Sequence, residues 1–223
     1  MTKYTMLLLA ATLAACSTKS AQTADTATGH PPADPDVSVQ GTGIPAGYTA
    51  ITDDTSAQIT NARYATKSGS WDVTTGPAHI IFAGKDSASG AYTASATFSQ
   101  LEAPRHPEGY GIFVGGRDLG SASRSYTYFL VRGSGELLVK SRVGAKTTDV
   151  LTWRSNVAVP KADSAGRATY SLAIRVAADS VRFMVNDKPV GAVKAGTVAT
   201  DGVAGLRVNH NLHVLTAPVT ISR

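Results

Sequence analysis

Residues 180–193 read SVRFMVNDKPVGAV, and the pattern of this stretch indicates the fold class. Every second residue of its first run is large and apolar, as Val181, Phe183 and Val185 show. A period of two residues is typical of a β-strand with one buried face. Asn186-Asp187 then interrupts the run, and these residue types favour the tight turn of a β-hairpin. The stretch therefore predicts two antiparallel strands whose apolar row closes a core.

The same pattern recurs on both sides of this hairpin. Short alternating runs are separated by turn residues such as Gly133-Ser134-Gly135, which is typical of an all-β sandwich or barrel. The expected strands are 71–74, 78–83, 91–100, 110–115, 125–132, 136–142, 147–153, 168–177, 180–186, 189–193, 203–208 and 212–222. Only residues 55–63 fit a short helix, and residues 44–70 are expected to supply an edge strand and that helix. The fold class predicted is all-β, with two antiparallel sheets.

Residues 125–142 show how each strand divides its side chains between two faces. Because strand side chains alternate, Thr127, Phe129 and Val131 point to one side. The other side carries two tyrosines and several charges: Tyr126, Tyr128, Leu130, Arg132, Glu136, Leu138, Lys140 and Arg142. We therefore expect an apolar face packed against the core and an outer face that carries the tyrosines and the charged side chains.

The order of these motifs resembles the concanavalin A-like lectin/glucanase superfamily, including its laminin-G-like relatives. The segments that carry the resemblance are YGIFVGGRDL, YTYFLVRGSGELLVKSR, TYSLAIRVAADSVRFMVNDKPVGAV and DGVAGLRVNHNLHV. They extend roughly from Trp71 to Arg223 and are structural motifs. The resemblance implies a jelly-roll sandwich and a protein that either binds or cleaves carbohydrate.

Catalytic carboxylates are scarce in this chain. Retaining glycoside hydrolysis needs two carboxyl groups close together, and the glucanase branch places them in a Glu-x-Asp-x-x-Glu motif, which is absent here. The three glutamates are Glu102, Glu108 and Glu136. We therefore predict a noncatalytic protein. The alternative enzyme is a divergent glycoside hydrolase that uses Glu108, Asp118 or His106.

A set of aromatic, cationic and amide side chains suits carbohydrate recognition instead. An aromatic ring can cover the apolar face of a sugar, while guanidinium, amide and carboxylate groups bind its hydroxyls. The candidate ligand-binding residues are His106, Arg117, Asp118, Tyr126, Tyr128, Arg132, Arg207, Asn209 and His210. For each residue singly, outer-sheet packing or a loop ion pair is an equally good interpretation.

No metal ion and no cofactor are predicted. His210 and His213 form a His-x-x-His pattern, but an odd offset on a strand places two imidazoles on opposite faces. Calcium would need oxygen ligands, and Asp86, Asp118 and Asp201 are scattered.

The first residues resemble a bacterial lipoprotein signal. Lys3 precedes a short apolar run, and the run ends in Leu13-Ala14-Ala15-Cys16, like a lipobox. The resemblance implies a signal peptide at 1–15, lipidation of Cys16, and a place in the cell envelope, at the outer membrane if the organism has one. Residues 16–42 are predicted to be a flexible tether and residues 43–223 the sandwich domain. An ordinary secretory signal is the alternative.

Charge and composition narrow the partners. The formal net charge is +5, and the 21 basic residues are scattered without a like-charge block, so nucleic acid is not an expected partner. The sequence therefore predicts a surface-anchored lipoprotein with a noncatalytic carbohydrate-binding sandwich. A divergent hydrolase and an envelope protein-interaction module are the alternatives.

Overall fold

A computed structural model describes residues 43–223 of this chain. The predicted signal peptide, Cys16 and the tether lie outside the described residues. The strands are β1 Thr49–Thr52, β2 Ala62–Lys67, β3 Ser70–Thr75, β4 His79–Ala88, β5 Tyr92–Gln100, β6 Gly109–Arg117, β7 Ser125–Arg132, β8 Glu136–Val143, β9 Lys146–Ser155, β10 Ala168–Val176, β11 Ser180–Val185, β12 Lys188–Lys194, β13 Gly202–Val208, β14 His213–Thr216 and β15 Thr220–Ser222.

The strands form two antiparallel sheets. The seven-stranded sheet has the order β1-β4-β13-β6-β7-β8-β9, and the other has the order β12-β11-β10-β5-β14-β3-β2, with β15 paired to β5. Alternate side chains of both sheets meet in one large apolar cluster that includes Phe98, Ile112, Phe129 and Phe183. The two-sheet sandwich predicted from the alternation is confirmed. Among the described residues, no helix is both long and apolar enough to cross a membrane.

The hairpin of residues 180–193 forms as its sequence predicts. Val181, Phe183 and Val185 are buried, and Phe183 pairs with Ile174 of β10. The turn between β11 and β12 has positive φ at both Asn186 and Asp187, with values of 48° and 62°. Two consecutive positive φ angles define the type I′ turn, whose twist matches that of the strands it joins.

The β7–β8 hairpin forms around the predicted Gly133-Ser134-Gly135 turn. Arg132 pairs with Glu136 across the glycine turn, and Tyr128 pairs with Lys140. Phe129 and Val131 face the other sheet within the main core, as expected. The assignment of side chains to the two faces is therefore confirmed.

The opposite face of the seven-stranded sheet, called the outer face below, differs from expectation in its packing. It carries a second apolar cluster consisting of Ile80, Phe113, Leu119, Tyr126, Tyr128, Leu130 and Leu138. Gly205 makes room for it, because a Cβ atom there would lie 2.6 Å from the Phe113 ring. Tyr126 and Tyr128 are only 1% and 5% exposed. The tyrosines are packed rather than displayed.

The prediction of a helix at residues 55–63 is wrong. Only Ile59–Asn61 forms a turn of 3-10 helix, and β2 begins directly after it. The expected edge strand exists as β1, at the edge of the seven-stranded sheet. The strand expected at 212–222 is divided into β14 and β15, and Pro218, which has no N–H to donate, lies between them.

A buried polar bridge joins the two sheets. His79 Nδ1 lies 2.9 Å from the Pro77 carbonyl, so it carries the proton and donates. The Tyr64 hydroxyl then donates to His79 Nε2 over 2.5 Å. Burial lowers the pKa of His79 to about 4, against smaller opposing effects, so the ring is neutral at physiological pH.

Candidate ligand-binding surface

The nine predicted site residues fall into three places. Tyr126, Tyr128, Arg132 and Arg207 lie on the outer face, His106, Asn209 and His210 lie at the start of β6, and Arg117 and Asp118 lie at its end. The outer-face residues belong to β7 and β13, which flank β6. The sequence therefore selected residues on or beside one sheet, but it treated residues from three separate places as a single site.

Buried ion pairs occupy the centre of the outer face. Asp53, from the segment after β1, accepts hydrogen bonds from both terminal nitrogens of Arg207, and its Oδ1 is 2.9 Å from Nη1. Arg142 of β8 donates to the same oxygen over 3.1 Å. One carboxylate thus binds two guanidinium groups from strands that are not neighbours. We call these three residues the Asp53 network.

Aromatic rings support the Asp53 network. The Arg207 guanidinium lies over the Tyr128 ring, 4.7 Å from its centroid, and Nη1 lies 3.2 Å from the Tyr126 hydroxyl. Within the described chain, Arg207 Nε is buried and has no hydrogen-bond partner. An unpaired N–H beside an aromatic ring is a donor for which a bound molecule or ordered water would be favourable.

Electrostatics keep the Asp53 network ionised. Burial opposes ionisation of Asp53, but Arg207, Arg142 and Arg124 outweigh it, and the pKa of Asp53 falls below its ordinary value. Burial likewise opposes the charge of Arg207, yet Asp53 raises the pKa of that guanidinium further. Burial raises the pKa of Tyr128 to about 12, so its hydroxyl keeps its proton.

A more accessible group lies at one edge of the outer face. Arg132 Nε donates to Glu136 Oε2 over 2.9 Å, and the Ser134 hydroxyl donates to the same oxygen over 2.6 Å. The Arg132 guanidinium lies 4.2 Å from the centroid of Trp153, which is half-buried. Arg132, Glu136, Ser134 and Trp153, called the rim below, combine an aromatic surface with paired charges.

His106, Glu108 and His210 form a compact cluster at the start of β6. His106 Nδ1 and His210 Nε2 lie 3.1 Å and 2.9 Å from Glu108 Oε1. Asn209 Nδ2 donates to the other carboxylate oxygen over 3.1 Å. Burial raises the pKa of Glu108, but the hydrogen bond and charge of His210 outweigh it, and the pKa lies below its ordinary value. We call these four residues the His–Glu cluster.

The carboxylates proposed for a divergent hydrolase do not meet. Glu108 precedes β6 and Asp118 follows it, so the strand length of about 25 Å separates them. Glycosidase carboxyl groups lie about 5–9.5 Å apart. Arg117 donates to the Asp201 carbonyl over 3.1 Å, beside a shallow cavity of about 440 Å³. This pair therefore lacks the geometry of glycoside hydrolysis.

The two C-terminal histidines do not share one strand as expected, because His210 lies in the turn between β13 and β14 and only His213 lies on a strand. His210 contacts Glu108, whereas His213 Nε2 lies 2.9 Å from Asp72 and His213 Nδ1 lies 3.3 Å from Glu102. They belong to different clusters, so the His-x-x-His pattern does not bind one ion.

Sequence reasoning missed two participants and underrated a third. Asp53 lies just before residues 55–63, which were expected to form a helix, and no local pattern connects it with Arg207, 154 residues away. Arg142 was placed on the correct face but was not selected. Trp153 was not among the candidate residues, although the alternation of β9 could have placed it on the outer face.

Known structures identify the type of sandwich. No protein-family profile matches the chain, and no curated protein matches it. A carbohydrate-binding module, CBM66 from Bacillus subtilis, superposes with a TM-score of 0.55 at 12% identity, over 83% of this chain and 99% of the module. A Bacillus subtilis protein of unknown function with a galectin-like fold gives 0.53 at 12% identity, over 78% and 88%. The lumenal domain of VIP36, in its calcium- and mannose-bound form, gives 0.53 at 9% identity, over 79% and 82%. The chain therefore has the concanavalin A-like lectin fold.

Proposed function

We propose that this chain is a noncatalytic carbohydrate-binding protein whose ligand lies on the outer face of the seven-stranded sheet. The Asp53 network and its tyrosines form the floor of the site, and the rim forms its accessible edge. Sugar rings stack on Trp153 while Arg132, Glu136 and Ser134 exchange hydrogen bonds with the hydroxyls.

The character of the outer face is the observation that carries this proposal. A sheet face that is in contact only with water carries polar side chains that need no fixed partners. Here guanidinium groups are fixed over aromatic rings twice, Arg207 on Tyr128 and Arg132 on Trp153. Fixed donors beside aromatic surface give orientation and apolar contact together, which is what a sugar requires.

The structural comparisons point in the same direction. Two of the similar structures are a carbohydrate-binding module and a domain in its mannose-bound form. Identities of 9–12% limit these comparisons to the fold itself.

A glycan and polysaccharide binding screen, run beside an assay of reducing-sugar release, tests the proposal. The protein is the full chain with Cys16→Ser, purified in mild detergent. We expect at least one glycan to bind without release of reducing ends. Arg132→Ala should weaken that binding about 10-fold or more, as expected for loss of a charged hydrogen bond of about 1.5–3 kcal/mol.

Arg182→Ala is the matched control, because Arg182 is an exposed arginine on β11 of the other sheet. Its binding should equal that of the parent chain. Absence of any glycan hit, or equal binding by the Arg132 and Arg182 variants, contradicts the proposal. Release of reducing ends favours the hydrolase, and a protein captured on the same face favours the interaction module.

We further propose that the chain reaches the cell envelope through a lipid on Cys16. The lipobox-like sequence of residues 13–16 supports this proposal. Mass spectrometry of the chain purified from its own membranes should find residue 16 as the acylated N-terminus. An unprocessed chain, or cleavage at another position without acylation, would refute the anchor while leaving glycan binding open.

A further inference from the structure

We propose that His106, Glu108 and His210 bind a divalent transition-metal ion, with Zn²⁺ as the preferred class. One atom from each residue, the Nδ1 or Nε2 of the two imidazoles and a carboxylate oxygen, lies within 4.8 Å of the other two. Among the described residues this is the one group of three histidine, cysteine or carboxylate side chains with such convergence.

Two separate segments of the chain supply the three ligands. His106 and Glu108 lie two positions apart on the segment that leads into β6, and His210 follows β13. The Asn209 N–H donates to the Gly109 carbonyl over 3.0 Å and fixes the two segments to each other. The cluster is therefore assembled by the sheet itself, through the pairing of β13 with β6.

The spacing suits a small metal ion. Bonds of about 2.0–2.2 Å to zinc imply about 3.3–3.6 Å between neighbouring ligand atoms of a tetrahedron. The two observed nitrogen-to-oxygen distances are 3.1 Å and 2.9 Å, so these two separations need to widen only slightly, and all three ligand atoms already lie within 4.8 Å of one another. A set of two imidazoles and one carboxylate favours the binding of zinc over that of calcium or magnesium.

Asn209 supplies the support that such ligands need. Its side-chain N–H donates to Glu108 Oε2 and leaves Oε1 directed at both imidazoles. Its Oδ1 atom is buried and has no hydrogen-bond partner among the described residues. Outer hydrogen bonds of this type orient ligating carboxylates. Asn209 is thus a positioning residue.

Three protein ligands leave the fourth position of a tetrahedral ion open. Such open sites accept water or a ligand atom, whereas structural zinc sites are closed by four protein ligands. His106 also lines a cavity of about 280 Å³ together with Gln100, Gly133 and Ser134, so the ion would lie beside an accessible pocket.

Zinc content and affinity test the proposal. The full chain with Cys16→Ser, free of any histidine tag, is stripped with EDTA, titrated with zinc sulfate by calorimetry and assayed for bound metal. We expect one zinc per chain. His210→Ala should weaken zinc binding by about 100-fold or more, and Asn209→Ala by about 10–100-fold.

His213→Ala is the matched control. His213 also contacts two carboxylates, but through opposite ring nitrogens, so those groups cannot converge on one ion. Its zinc affinity should equal that of the parent chain. A thermal melt checks that each variant folds, and His106→Ala, at a more exposed position, replaces His210→Ala if that chain unfolds. Failure to retain zinc, or equal loss in the His210 or His106 variant and the His213 variant, overturns the proposal.

Discussion

Tyr128 was expected to be available to a ligand on the outer face, but in the structure its side chain is buried. Its position on the outer face follows from strand alternation, but its exposure does not, because the partner that covers it comes from β13. Arg207 lies over the ring, and the side chain is 5% exposed. Tyr128 therefore contributes mainly to stability, and it contributes to binding indirectly by supporting the Arg207 guanidinium.

Replacing Tyr128 by alanine should therefore destabilise the domain by about 3 kcal/mol, as expected for a large aromatic side chain lost from a packed cluster. Tyr128→Phe keeps the ring under Arg207 and should cost much less. Urea denaturation of both variants measures the difference. Equal, small losses would mean that the ring is not packed as described.

His79 gives the fold a defined sensitivity to acid. Its folded pKa of about 4 lies below the ordinary value of 6.5. Between these values the unfolded ring binds a proton and the folded ring does not, so stability falls as the pH falls from 6.5 to 4. The loss is about 3 kcal/mol across that window.

Denaturation at pH 7.5, 6, 5 and 4 tests this prediction, with His79→Gln as the comparison. The glutamine variant should lose less stability over the same window because it cannot titrate. Asp53 and Glu108, whose pKa values are lowered, contribute losses mainly at pH values below the His79 window. Parallel pH profiles for the two chains would show that His79 is not buried and neutral.

At the scale of elements, the β11–β12 hairpin shows what local sequence determines. Both the alternation and the turn chemistry are local, so strands and turn could be predicted from fourteen residues. Asn186 and Asp187 have positive φ angles that cost ordinary residues about 1–2 kcal/mol. Asn186 also accepts a hydrogen bond from the Ser171 N–H over 2.9 Å, which ties the turn to β10.

Asp187→Gly should stabilise the domain by about 0.5–1 kcal/mol, because Asn-Gly is the preferred type I′ sequence. Asp187→Val should destabilise it by about 1–2 kcal/mol, since a β-branched residue is strained at positive φ. Thermal melts of the two variants give the signs. Equal melting temperatures would mean that the turn has another conformation.

The segment between β1 and β2 shows where local signals fail. Residues 55–63 contain no strong breaker, so they fit a helix, but the chain there has only to connect one edge of each sheet. Its outcome is set by the pairing of β1 with β4 and of β2 with β3. Those contacts are non-local, and sequence patterns within the segment do not encode them.

At the scale of the whole molecule, Asp53 ties distant parts of the seven-stranded sheet together. It lies after edge strand β1 and binds Arg207 on β13 and Arg142 on β8, which β6 and β7 separate. The sequence predicted both sheets and most strands, yet it could not predict this network. An aspartate in a loop carries no signal for partners 89 and 154 residues away.

Asp53→Ala should destabilise the domain by about 2 kcal/mol or more, because it leaves the buried Arg207 without its counter-ion. Solvent around the partly exposed Asp53 keeps this loss below the value of about 3–5 kcal/mol typical of a fully buried pair. Asp54→Ala changes the neighbouring exposed carboxylate and should leave the urea midpoint nearly unchanged. A similar midpoint for both variants would exclude a structural role for the network.

The most direct test of carbohydrate binding on the outer face is an NMR titration of the ¹⁵N-labelled chain with the strongest glycan from the screen. We predict that the backbone amide shifts concentrate in β7, β8, β9 and β13, and that Trp153 Nε1–H moves with them. Shifts centred on β10–β12 of the other sheet, or no shifts with any glycan, would contradict a site on the outer face.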